Sequence, residues 1–375
     1  MPTLAFGDIG KKTTVALISV FPLYTGTTSV VSDYNEALSK MGFNVKVYQL
    51  TFPHTNKNYI NSTYKIEGKK FLLKDLELPY NLIFHLPKQI PRLSEDIVIL
   101  TDPVLLSLKR NFPDSIIIFH DLRDLDKYNY NPIRKIFYLY MMKFLDNNDK
   151  IIAVSNLTER AVKSISRKKL NVQTVEGCSR FNFDLSSVYE RIKAIKLGKT
   201  EINVLYVAAD RPYKNIKTFI KIAEIFNQKY SFCNFHFILV SKLRASTKRF
   251  INRRHLHNLE IIDVVENLYN IYKLTDIFLF PSLIEGFGLP LVEAMSFGIP
   301  IIYSNKPPMT DIVGNYGIRI DPFDVDSWVE ELIRIRHEKN YEKMALLSYE
   351  RSKYYSFDRF KDRLSKALKT FNLMR

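Results

Sequence analysis

The chain has 375 residues, 46% of them hydrophobic and 25% charged, which is enough to bury more than one core and excludes a disordered or fibrous class. No apolar run approaches the ~20 residues of a membrane-spanning helix. Two distant cysteines, Cys178 and Cys233, supply neither a disulfide framework nor zinc spacing, so no metal site and a reducing, cytoplasmic setting are expected. The net charge of +16 is spread over both halves, which favours anionic partners in general and speaks against a dedicated nucleic-acid arm.

Thr14 to Val20 reads as a strand, and Pro22 stops its apolar run too early for a signal peptide. A loop with Gly26 leads to a helix from about Thr28 to Lys40, then a strand from Phe43 to Leu50, the start of a βαβ unit. Residues 51–95 carry turn signals and one helix near Tyr80 to Gln89. Asp96 to Leu100 is a strand. Ser115 to Phe119 is another, apolar enough to be buried on both faces. It ends in His120-Asp121, and the carboxyl end of a parallel strand is where open α/β sheets bind ligands. Ile133 to Leu145 is an aromatic amphipathic helix. Lys150 to Ser155 is a strand, and Asn156 to Lys168 a helix capped by Ser155 or Asn156. Ser186 to Gly198 is polar and basic and reads as an interdomain segment.

A second series opens with a strand from Asn203 to Ala209. Its loop holds Arg211 and Lys214, and Asn215 caps the helix that follows. Two cations at a helix start suit a diphosphate, though solvated loop charges fit as well. Lys242 to Arg254 carries six basic and no acidic residues and reads as a solvated helix face, with anion contact as the alternative. The stretch Pro281 to Pro300, PSLIEGFGLPLVEAMSFGIP, is the most informative. A strand ends at Phe280, Gly286 and Gly288 turn the chain, Pro290 suits a helix start, and Gly298 and Pro300 end that helix. The free N–H groups of such a start attract an anion. Glu285 and Glu293 flank it. An ionised carboxylate only accepts hydrogen bonds and can take a vicinal diol, so phosphate between two such groups suggests a nucleotide-sugar. For Glu293, a solvated residue that favours the helix dipole is the plainer alternative. Asp326 or Ser327 caps a later helix, and a last helix runs from Ser356 to about Asn372.

Pro281-Ser282, Glu285, Gly286-Phe287-Gly288-Leu289-Pro290, Glu293-Ala294-Met295, Gly298 and Pro300 resemble the signature of the family-4, or group 1, retaining glycosyltransferases. The resemblance implies an α/β chain of the GT-B fold, two Rossmann-like domains facing each other across a cleft. Residues 1–185, joined by the terminal helix 356–375, would form the acceptor side, 186–200 the linker, and 201–355 the nucleotide-sugar domain. It implies catalytic roles at the donor sugar for His120 and Glu285, and the ribose as the ligand of Glu293. Gly26, Arg211, Lys214, Gly286, Phe287, Gly288 and Leu289 would bind the rest of the donor. The nucleotide-sugar is a substrate, and no cofactor or metal is expected. The chain departs from the family in having Gly26 without a second glycine, Ala209 in place of an arginine, Glu176 for asparagine and Asp311 for glutamate. Sugar transfer to a glycan, lipid-linked or protein hydroxyl is the expected activity. The charge, with Lys163 to Lys169 and the helix from Ile133, suggests peripheral contact with the anionic inner face of a membrane; a charge that only keeps the protein soluble, and a helix that packs against the sheet, fit as well. A nucleotide-sugar epimerase on the same fold, or a nucleic-acid-binding or DNA-glycosylating protein, are the alternatives.

Overall fold

Short runs of β-branched and aromatic residues, most of them alternating with helices among the described residues, build two parallel sheets. The computed structural model describes residues 12–20, 26–51, 63–65, 80–121, 132–263 and 267–374. In the first sheet are β1 (Thr14–Val20), β2 (Asn44–Thr51), β3 (Thr63–Lys65), β4 (Ile97–Leu100), β5 (Ile116–Phe119), β6 (Lys150–Ala153) and β7 (Asn171–Thr174). Their order is β3-β2-β1-β4-β5-β6-β7. The second sheet holds β8 (Ile202–Val207), β9 (Phe235–Val240), β10 (Leu259–Ile262), β11 (Ile277–Phe280), β12 (Ile301–Ser304) and β13 (Ile318–Ile320), in the order β10-β9-β8-β11-β12-β13.

Each sheet winds outward in both directions from its first strand. Val15 pairs with Val45 on one side and Ile97 on the other, and Val204 pairs with Phe237 and Ile277. The order therefore reverses beside β1 and beside β8, where such sheets open a crevice at the carboxyl ends of their strands. This is the expected pair of Rossmann-like units of the GT-B fold.

Strand alternation divides the core of the first sheet. Val15 and Leu17 face one apolar cluster while Ala16 and Ile18 face another. The cluster of Val15 continues through the helices into the second sheet, so one apolar body spans both units. The helix Phe357–Thr370 contributes Phe360, whose ring meets Tyr34 of the helix Gly26–Lys40 edge-on at 5.2 Å. The last helix thus packs against the first unit.

Several boundaries differ from expectation. The stretch read as an interdomain segment is the helix Leu185–Lys196, N-capped by Asp184, whose side chain accepts from the Ser187 N–H at 2.9 Å. Val188, Ile192 and Ile195 are its only buried positions, a stripe at helical spacing that its basic composition obscures. It packs against the helix Glu338–Ser352. Asp324, not Asp326 or Ser327, caps the helix Val325–Ile335. The helix near Tyr80 to Gln89 is a wide turn, Asn81–His85, running into Leu86–Gln89. The helix after Ser155 stops at Ile165. No helix among the described residues is long and apolar enough to cross a membrane.

Candidate functional site

The loop after β11 is shaped by its glycines. Gly288 lies at φ 115°, in the left-handed region, and initiates the helix Leu289–Ser296, with Pro290 in the first turn. Gly286 is required for another reason. A Cβ there would lie 2.0 Å from the carbonyl oxygen of His120 and 2.9 Å from Cβ of Asp121. Only glycine lets the loop of the second sheet close onto the end of β5 in the first. The contact is also hydrogen-bonded, for Ser155 Oγ donates to the Gly286 carbonyl at 2.6 Å while accepting the Thr158 N–H as an N-cap. Phe287 and Leu289 pack against Gly177, and the Phe287 ring meets Tyr355 at 5.7 Å. Their side chains serve the junction between the two sheets.

The loop after β8 brings Lys214 to Glu285. Asn215 takes the left-handed conformation, φ 51°, and its side chain does not cap the helix Ile216–Lys229 as expected. Its amide instead donates to the carbonyls of Pro281 at 3.2 Å and Pro322 at 3.0 Å, tying three loops together. Lys214 is thereby turned inward. Its Nζ donates to both oxygens of Glu285, at 2.6 and 2.8 Å, and both residues are buried. Such a pair is tolerated in the interior because each charge has the other. Arg211, three residues earlier, is exposed. Asp210 is buried and engaged by Arg244, through its main-chain N–H at 2.8 Å and its guanidinium at 3.2 Å. The basic run after Lys242 is therefore not wholly a solvated face.

Glu293 is apart from this pair, in the second turn of its helix and not the first. The hydroxyl of Tyr272 donates to its Oε2 at 2.9 Å. Burial raises its carboxyl above the ordinary range, against the lowering effects of Tyr272 and Arg180. Arg180 in turn bridges to Asp33 on the helix Gly26–Lys40, Nε to Oδ1 at 3.2 Å. Burial lifts Asp33 to about 7 even so. His120 is half-buried, and its Nε2 lies 2.6 Å from the Thr101 carbonyl at the end of β4. A carbonyl only accepts, so Nε2 carries the proton. Gly26 is the first residue of its helix, and the loop before it lies outside the described residues.

The expected residues are thus assembled from both sheets. Lys214, Glu285 and Gly286 join the segment of His120, Glu293 lies against helix Tyr269–Leu274, and Arg211 stands in solvent. Tyr272, Arg180 and Asp33 went unrecognised, and Ser155 was read only as a helix cap, because their partners are remote in sequence and no spacing announces them.

Residues 189–351 match the family described as "Glycosyl transferases group 1". The chain is 36% identical over 80 residues to O-antigen chain mannosyltransferase B of Escherichia coli, covering 21% of each chain. It is 25% identical over 223 residues to O-antigen chain mannosyltransferase RfbU of Salmonella typhimurium, covering 56% of this chain and 58% of that one. The chain spans less than two thirds of the length of these curated relatives. Among solved structures, the fold matches sucrose-phosphate synthase of Thermosynechococcus elongatus with a TM-score of 0.77 at 16% identity, over 96% of this chain and 99% of that one. It matches WaaG, a glycosyltransferase involved in lipopolysaccharide biosynthesis, at 0.70 and 14% identity, over 95% and 99%. The two-unit fold is matched almost end to end, and Lys214, Glu285 and Glu293 all lie inside the segment that is similar to the group 1 glycosyl transferases.

Proposed function

We propose that the chain moves a sugar, with retention of configuration, from a nucleotide-diphosphate-sugar to a hydroxyl of a growing glycan. The observation that carries this reading is the buried Lys214–Glu285 pair beside the glycine loop, closed against the His120 end of β5. A diphosphate arriving at this loop competes with Glu285 for the Lys214 ammonium, and the released carboxylate then accepts from sugar hydroxyls. As the bond from the anomeric carbon to the phosphate oxygen breaks, its electron pair goes to the diphosphate. Lys214, once released from Glu285, stabilises that charge together with Arg211 and the loop N–H groups. The acceptor hydroxyl attacks from the same face, and its proton passes to the departing phosphate oxygen. His120 hydrogen-bonds the sugar near the reacting carbon, and Glu293 accepts from the ribose hydroxyls. This assigns charge neutralisation to the protein, so transfer is expected to persist in EDTA; loss restored by magnesium or manganese would overturn that part.

Several matched relatives carry names of mannosyltransferases, so a nucleotide-diphospho-mannose is the first donor to test. The acceptor is a glycan or lipid-linked chain, met at an anionic membrane face. The helix Pro132–Met141 supports this, since it buries Phe137 and Met141 but exposes Ile136 and Leu139 beside exposed Lys135 and Lys143. Incubation of the protein with mannose, galactose and glucose donors and a lipid-linked oligosaccharide tests the reading. Nucleoside diphosphate release that requires acceptor, with a retained anomer by NMR, is expected. An inverted anomer would remove the retaining assignment, and conversion of the donor without acceptor would favour an epimerase.

A further inference from the structure

We propose that Tyr272 is a positioning residue for donor recognition, its buried hydroxyl holding the Glu293 carboxylate in the orientation that accepts a vicinal diol. This rests on the reading of Glu293 as the ribose acceptor. Tyr272 is fully buried on the helix Tyr269–Leu274. Its ring stacks on Phe297 at 5.5 Å and touches Phe181 at 5.7 Å and Phe278 at 6.1 Å. These neighbours are all phenylalanines, so packing alone would be met by a fourth. The hydroxyl is the feature that needs a reason, and its hydrogen bond goes to Glu293 Oε2 at 2.9 Å.

A carboxylate offers about four lone-pair sites, so one phenol leaves room for two ligand hydroxyls. The phenol also favours the ionised form, the form that accepts from both. The donor residue lies on a different helix from Glu293, and its ring is caged on several sides. It therefore fixes the carboxylate against the second unit's core instead of letting it follow solvent. The other charged groups facing Glu293 are Arg180 from the segment before the helix Leu185–Lys196 and Asp33 from the helix Gly26–Lys40.

The test uses Tyr272→Phe and Glu293→Gln in the full chain, each also combined with Asp33→Asn so that the titration of Asp33 is removed from the profile. The probe is whichever of UDP, GDP and ADP the wild type binds most tightly, measured by calorimetry over a pH series that includes neutral pH. Tyr272→Phe keeps the ring and the fold, and weakens binding about threefold to tenfold at neutral pH. It also moves the acid limb of kcat/KM for the donor upward, because Glu293 has lost a bond to its charged form. The turnover at saturating donor is unchanged. A merely structural tyrosine would leave that limb in place. If Glu293→Gln weakens binding and Tyr272→Phe changes neither affinity nor pH profile, the positioning role is overturned while the ribose reading stands. If Glu293→Gln also binds as wild type, the ribose reading falls and takes this inference with it.

Discussion

Lys214 and Glu285 depend on each other. Each is buried and each would be an uncompensated charge alone. Removing one partner of such a pair costs about 3–5 kcal/mol, whereas replacing both with uncharged groups of similar size is far milder. We therefore expect Lys214→Met and Glu285→Gln to be individually destabilising and the double variant to recover most of the loss. Denaturant midpoints of the wild type, both single variants and the double variant make the cycle. Additive losses would show that the pair is not coupled. The residues themselves were legible: a glutamate on a glycine loop, a lysine at a helix start. That they touch was not, since the contact depends on Asn215 holding the lysine loop to Pro281 and Pro322.

At the scale of elements, the glycine loop is a bearing surface between the two units. Gly286 has its own carbonyl held by Ser155, and a side chain there would meet the main chain of His120, which cannot swing away. Gly286→Ala is expected to lift the loop from β5 and abolish transfer, while each sheet stays folded. Small-angle scattering and circular dichroism separate the two effects. An active Gly286→Ala protein with unchanged scattering would mean that the contact is not needed. The strands and the helix after Pro290 could be read from apolar runs and turn residues, because those are local signals. The helix Leu185–Lys196 could not, because its sparse apolar stripe acquires meaning only when the helix Glu338–Ser352 packs on it.

At the scale of the whole molecule, Asp33 links the first unit to Arg180, and its carboxyl lies at about 7 against an ordinary 3.8, burial outweighing the guanidinium. Between those values the folded chain keeps a proton that the unfolded chain has lost. Stability from this group therefore falls as pH rises from about 4 to about 7, and is level above. Asp33→Asn should remove that slope, so the melting temperatures of the two proteins should diverge with pH across this window. Parallel curves would overturn it. The charge of +16 and the exposed Ile136 and Leu139 predict binding to anionic vesicles that fades with salt. Equal recovery in the supernatant with anionic and neutral vesicles would sink that expectation.

Sequence alone determined the class of the molecule. Alternating buried strands and helices dictate doubly wound sheets, and the residues from Glu285 to Glu293 sit within the segment that matches the family. Those are properties of short windows, in which backbone conformation and apolar spacing are set by neighbours along the chain. Tertiary structure alone decided which side chains are paired, which are in solvent and which titrate. Arg211 and Lys214 share one loop, yet only Lys214 is buried against a carboxylate. Glu285 and Glu293 share one motif, yet one faces an ammonium and the other a phenol. Desolvation and ion pairing depend on what arrives from distant parts of the chain: Tyr272 and Asp33 meet their partners only once the chain has folded, and Ser155 meets Gly286 only when the two sheets close on each other.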